Sequence, residues 1–303
     1  MRGILDVITQ NILPIFLVAG LGFVLRRWGG IDKRMLSRVT FYGFSPCLVF
    51  SSLVQAQIPL TELTQLAGFI IVTILSMGVV GWLSGRLLRL SRVNTAALVL
   101  TLMFVNGGNF GMTLNEIRYG EEGLARAAIY FITSTVLLYT IGIFIASAGQ
   151  QSWRAAALEL LRVPAFYAVI LAILVYGFQI QLPAPFLRSV EIAGAGAIPV
   201  MIVVLGMQMA DLQQFEGVKL ALTASGLRLI FGAAVGILWA YLFRLEGLNR
   251  SVMIIEASMP TAVALTIVAT EFDLRPRLVT TIVVFSTLIS PLTLAVVINL
   301  LGL

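Results

Sequence analysis

Residues 104–113 read FVNGGNFGMT, and they interrupt an otherwise apolar run over 95–116. Glycine is a poor helix former, and asparagine favours caps and turns. The whole run is about as long as a helix that crosses a bilayer. A helix that breaks at membrane depth frees backbone groups that protein or a wet cavity must satisfy. The break also frees amide N–H groups at the start of the following half-helix, where they and the helix dipole attract anions. Asn106 and Asn109 add neutral donors and acceptors suited to a carboxylate. Close packing of small residues between helices explains the glycines. It does not explain two asparagines, so Asn106, Gly108 and Asn109 are expected to line a substrate site.

The same reading extends along the chain. Of its 303 residues, 59% are hydrophobic and 11% charged. Soluble domains carry about 25% charged residues. Ten apolar spans are expected, at 8–25, 39–54, 66–88, 95–116, 125–146, 163–178, 187–209, 220–243, 252–270 and 279–300. Their continuous apolar character excludes a membrane β-barrel, whose strands alternate. The fold class is therefore an all-α integral membrane protein. The first span has no convincing cleavage site and is expected to be retained.

The net charge of +6 sits mainly in short loops, which points to topology and not to nucleic acid. Loops after odd-numbered spans hold thirteen of the twenty Lys and Arg residues, against six on the other side and Arg228 within a span. Those loops are expected to be cytoplasmic, with both termini outside. The basic cluster at 26–38 reads as a topology signal in contact with lipid headgroups.

The chain also divides into two similar halves, 1–149 and 150–303. EIRYGEEGLARAAIYFITSTVL at 116–137 aligns with VATEFDLRPRLVTTIVVFSTLI at 268–289, superposing an acidic connector on another and Ser134-Thr135 on Ser286-Thr287. Spans two and seven carry Pro46 and Pro199, and spans four and nine are both interrupted. Five spans per half is an odd number, so the second half inserts upside down. Inverted repeats with broken helices are a transporter signature.

In the second half IEASMPT, residues 255–261, places Pro260 opposite Asn109. Proline breaks or kinks a helix. Met259, Pro260 and Thr261 are thus expected beside the first break. Glu256 lies one turn earlier, and a carboxyl at membrane depth usually faces a cavity or partner; it is a candidate proton carrier. The bland reading of Glu256 is a residue snorkelling near a helix end. Arg228 is the other misplaced charge, expected to pair with Glu256 or to attract the anion, with snorkelling as its bland reading.

LMFVNGGNFGMTL at 102–114, YGEEGLARAAIY at 119–130 and MPTAVALTIVATEFDLRPRLVTTIVVFSTLISPLTL at 259–294 resemble the auxin efflux carrier family, of the bile/arsenite/riboflavin transporter superfamily, over nearly the whole chain. The resemblance implies crossed fourth and ninth helices, a scaffold of spans 1, 2, 6 and 7, and a moving transport domain of spans 3–5 and 8–10. It implies elevator-type transport of small organic carboxylate anions bound at the crossing by Asn106, Asn109 and Pro260, with Gly108, Met259 and Thr261 beside them. Carriers of this kind often pair through their scaffolds, so a homodimer is the implied assembly. The chain departs from the plant pattern in lacking a long central hydrophilic loop, and it has Gly111-Met112-Thr113 where relatives commonly have a proline.

A sodium-coupled bile-acid-type symporter is the rival within the same class. Sodium favours oxygen ligands such as carboxylates, and the break regions hold few beyond Glu256. A proton, or no coupling ion, is expected instead. An intramembrane enzyme is disfavoured: there is no histidine, no Asp-x-x-Asp, and a single cysteine, Cys47. No cofactor or metal is expected. A channel is less favoured than alternating access. The expected location is a bacterial inner membrane. In a Cys47→Ser background, a cysteine introduced by Glu246→Cys is expected to react with an impermeant maleimide in intact cells, and one introduced by Ile31→Cys only after permeabilisation; the reverse pattern would invert the assigned topology.

Overall fold

The computed structural model describes residues 2–56, 58–146, 164–210 and 215–302, and they are helical throughout apart from short connections. In chain order, α1 is Leu5–Arg27 and contains a π-helical turn at Ile8–Ile12. Helix α2 runs through Lys33–Val39, a π turn at Thr40–Phe44, and Ser45–Ala56. Next come α3 (Leu60–Leu87), α4 (Arg92–Met103) and α5 (Gly107–Ala146). They are followed by α6 (Pro164–Gly177), α7 (Ala184–Ala210) and α8 (Val218–Leu242). The last three are α9 (Gly247–Ala257), α10 (Leu265–Glu271) and α11 (Pro276–Leu301). The boundary between the proposed halves, and the basic residues Arg154 and Arg162, lie outside the described residues.

Among the described residues, six helices are each long and apolar enough to cross a membrane: α1, α3, α5, α7, α8 and α11. The other four expected spans are shorter or divided. The span at 39–54 runs across the π turn of α2, and the span at 163–178 is represented by the shorter apolar helix α6. The spans at 95–116 and 252–270 each split into two pieces, because the helix stops at Met103 and at Ala257.

The connector expected after residue 116 is smaller than the sequence suggests. Helix assignment runs through it, and a single residue departs, Gly120 at φ 64°, ψ −154°. Only glycine adopts that region without a Cβ clash. Forty residues of straight helix would extend about 60 Å at 1.5 Å per residue, twice the hydrocarbon thickness. Gly120 instead turns the corner, and just beyond it a Cβ on Gly123 would sit 2.8 Å from the Asn115 carbonyl oxygen.

Lipid is as apolar as leucine, so close van der Waals contact has to hold these helices together. Leu17, Leu21, Ile230 and Leu238 project outward from α1 and α8 as an apolar surface. Between helices, small residues let backbones meet. Gly22 on α1 lies against the Val203 carbonyl on α7, and Gly206 on α7 against the Ala19 carbonyl on α1. Helix α2 packs on α6 and α7, while α3 packs on α4, α5 and α8, and α8 on α11. Polar ties between helices include Trp239 Nε1, which donates to Ser76 Oγ at 2.9 Å, and Arg126, which meets Glu62 at 3.1 Å.

The α1–α7 seam gives a direct test. Gly206→Leu forces those backbones apart and is expected to cost about 1–3 kcal/mol by overpacking, lowering the thermal unfolding midpoint of the purified protein. Gly20→Leu, at a glycine with nothing within 4 Å, is expected to leave the midpoint unchanged.

Candidate functional site

The two helix breaks meet. After α4 the chain turns extended at Phe104 (φ −104°, ψ 127°), and after α9 it is non-helical from Met259 into the turn that starts α10. Val105 and Thr261 form an antiparallel bridge. The Asn106 amide donates to the Pro260 carbonyl at 2.8 Å, and the Ala262 amide donates to the Phe104 carbonyl at 2.9 Å. Each break thus satisfies backbone groups the other has freed. Pro260 has no N–H to lose here and serves as an acceptor. Thr261 adds two bonds: its hydroxyl donates to the Thr101 carbonyl at 2.9 Å, and its amide donates to Ser286 Oγ at 3.2 Å.

Helix resumes beyond the first break as the π turn Gly107–Met112, which opens α5. The Asn106 carbonyl accepts from the amides of Phe110 at 3.3 Å and Gly111 at 3.0 Å. Behind this turn lies Glu256, fully buried at the end of α9. Asn115 Nδ2 donates to Glu256 Oε1 at 2.9 Å and to the Gly111 carbonyl at 3.0 Å. A Cβ on Gly111 would collide with the carboxyl group, and one on Gly107 would come within 2.8 Å of Oε2. The glycines therefore admit a carboxylate pressed against the backbone. Arg228, also buried, donates from both terminal nitrogens to the carbonyls of Leu102 and Ala257.

In front of the turn is a cavity of about 560 Å³. One wall is Asn106, Gly107, Gly108 and Asn109; the others come from α2, α5, α7 and the start of α10. Residues of three π turns face it: Thr40, Phe41 and Tyr42; Gly107, Gly108 and Asn109; Leu138 and Tyr139. A π turn widens a helix locally and often marks a functional site. Asn106 Nδ2 and Gln208 Oε1 are buried in the wall without a hydrogen-bond partner. A buried polar atom left unpaired costs about 1–3 kcal/mol, which a polar occupant of the cavity can recover. Arg38, exposed at the end of the α2 wall, is the one charged residue among the described lining residues.

The structure thus separates the residues expected at the site. Asn106, Gly108 and Asn109 line the cavity. Pro260 and Thr261 build the backbone pairing, Met259 is buried just before them, and none of the three is among the lining residues. Glu256 lies behind Gly107 and Gly111 and touches Asn115. Arg228 was expected to pair with Glu256 or to attract the anion; its terminal nitrogens meet two helix-end carbonyls, and no ion pair with Glu256 is seen among the described residues. Sequence reasoning did not select Gln208, Tyr139, Thr40 or Asn115. Ser134 and Thr135 had stood out only as a match between the halves, and Arg38 only as a topology charge. Lone polar residues in apolar runs were the available signal.

The sequence profile of the family described as membrane transport protein matches residues 7–157 and 150–298. An uncharacterized transporter of Methanothermobacter thermautotrophicus is 26% identical over 94% of this chain and 96% of its own length. A second uncharacterized transporter, from Methanocaldococcus jannaschii, is 22% identical over the same shares. Auxin efflux carrier component 8 of Arabidopsis thaliana is 28% identical over 48% of this chain and 40% of its own. With matches that span almost all of its length, the chain belongs to the membrane transport protein family, which includes the auxin efflux carriers.

Proposed function

We propose that the chain is a secondary transporter of small organic carboxylate anions, which bind in the cavity in front of the crossed breaks. The observation that carries this reading is the cavity's chemistry: an unpartnered amide nitrogen on Asn106, a guanidinium at Arg38, and no carboxylate among the described lining residues. The start of α5 adds the positive end of a helix dipole beside Asn109. The auxin efflux carriers among the relatives support a carboxylate substrate.

The mechanism we infer is alternating access of the elevator type by two inverted five-span repeats, with both termini outside the inner membrane. The packing of α1 with α7, and of α2 with α6 and α7, supports a scaffold. The packing of α3 with α4, α5 and α8, and of α8 with α9 and α11, supports a separate transport domain. A homodimer through the scaffold fits the exposed apolar residues of α1 and α6, such as Leu17 and Leu171. Coupling is to protons or to the membrane potential. Glu256 is the proton carrier in this reading: it is separated from the cavity by the Gly107 backbone, and Asn115 steadies one of its oxygens.

The first experiment is solid-supported-membrane recording on proteoliposomes with a panel of carboxylates that includes malonate and indole-3-acetate. A saturable current is expected for at least one. Asn106→Ala is expected to reduce its apparent affinity roughly tenfold or more, since a hydrogen bond to a charged group contributes about 1.5–3 kcal/mol. Absence of current and of tracer flux for every carboxylate, in folded protein, would sink the anion reading.

Coupling is read separately from flux under an imposed pH gradient. The parent is expected to respond to the gradient. Glu256→Gln, which keeps the shape of the side chain beside Asn115, is expected to transport without that response. A response retained in Glu256→Gln assigns the proton to another group.

A further inference from the structure

Arg228 sits on α8 and is 1% exposed, one of the largest fully buried side chains in the protein. It takes no part in the cavity or in contact with the proposed proton carrier. Its partners are the two helix ends. A helix leaves its last four carbonyls without intrahelical donors, and at membrane depth those carbonyls need other partners.

At the end of α4, the Leu100 carbonyl accepts from the Phe104 amide at 3.1 Å, and the Thr101 carbonyl from Thr261 Oγ1 at 2.9 Å. At the end of α9, the Ile254 carbonyl accepts from the Ser258 amide at 3.0 Å, and the Glu256 carbonyl from the Met259 amide at 3.1 Å. The Leu102 and Ala257 carbonyls, one from each helix, both accept from Arg228.

Each helix end carries a partial charge equivalent to about −0.5. Two such ends share one guanidinium of charge +1, so the charges match in size as well as in sign. The seat is built for that group. A Cβ on Gly232, one turn along α8, would collide with Arg228 Nη2 and come within 2.7 Å of the Ala257 carbonyl oxygen. In transporters with broken helices, the carbonyl ends of half-helices are where coupling cations bind.

We propose that Arg228 is a tethered cation: it holds, between the carbonyl ends of the two half-helices, the place that a free monovalent cation would otherwise take, so the crossing needs no sodium there. Arg228 is a positioning residue. It fixes the two breaks against each other, and the cavity wall at Asn106–Asn109 depends on that register. The sodium independence of flux rests on the transport reading above; the cation role at the crossing does not.

The test compares purified parent, Arg228→Ala, Arg228→Lys and Arg228→Met by thermal unfolding in chloride salts of guanidinium, sodium, potassium and choline at matched ionic strength. Arg228→Ala is expected to unfold several degrees below the parent. Millimolar guanidinium is expected to recover part of that loss, choline none of it, and the parent is expected to gain nothing from guanidinium. Arg228→Lys keeps a charge that reaches one carbonyl at a time, and is expected to unfold above Arg228→Met, which keeps length without charge. The Lys-to-Met order is informative even where Arg228→Ala does not fold. An Arg228→Met midpoint equal to that of the parent, or guanidinium lowering the Arg228→Ala midpoint as it lowers the parent's, overturns the proposal. Carboxylate flux by the parent is expected to be unchanged when potassium replaces sodium. Absence of flux in the parent speaks against the transport reading, and the unfolding curves still decide the role of Arg228.

Discussion

Two hydrogen bonds between broken helices, Asn106 N–H to the Pro260 carbonyl and Ala262 N–H to the Phe104 carbonyl, make the rest of this architecture possible. Water is absent at membrane depth, and an unpaired backbone group there costs several kcal/mol. A single interrupted helix would be left with such groups. Two interruptions facing each other antiparallel satisfy them reciprocally, with Thr261 and Ser286 closing part of the remainder. Once this pairing exists, irregular backbone can stand beside a cavity, and polar side chains can be presented where an ordinary helix would offer only its apolar surface.

Around that pairing the chain arranges three layers of chemistry that do not mix. The cavity carries neutral polar groups and the Arg38 guanidinium. Behind the first wall, Glu256 and Asn115 occupy space that only glycine at 107 and 111 leaves open. On the far side, Arg228 holds the carbonyl ends of α4 and α9. Each ionisable side chain is met in part, with Glu256 Oε2 and Arg228 Nε buried without a hydrogen-bond partner. The Glu256 carboxyl has an amide donor, and the guanidinium has carbonyl acceptors. The two ionisable side chains thus have separate partners and share no hydrogen bond or ion pair among the described residues.

The sequence exposes the membrane character and the two breaks through interactions that are local in the chain. Apolar runs of helical length report a lipid solvent, and FVNGGNFGMT and the segment around Pro260 report lost helix because asparagine, glycine and proline act on their own backbone. The acidic connector was legible as a break, but its size was not. Gly120 alone turns that corner, since the flanking residues can stay helical once one residue takes a positive φ. Pro260 and Thr261 meet the first break through backbone pairing, and neither they nor Met259 are among the cavity lining. Proximity to a site in sequence does not say which side of a wall a side chain occupies.

What the sequence determined by itself was therefore the solvent, the helices and where they break, because each depends on residues within a few positions of one another. The tertiary structure decided which groups meet. Gln208, Tyr139 and Arg38, from three separate helices, join Asn106 of the first break at one cavity, and Arg228 reaches two helix ends that are remote from it in the chain, at Leu102 and Ala257. Those encounters are set by the crossing angle and close approach of packed helices. No local pattern encodes them, since a lone arginine or glutamine in an apolar run reads the same whether it faces a cavity, a helix end or a lipid headgroup.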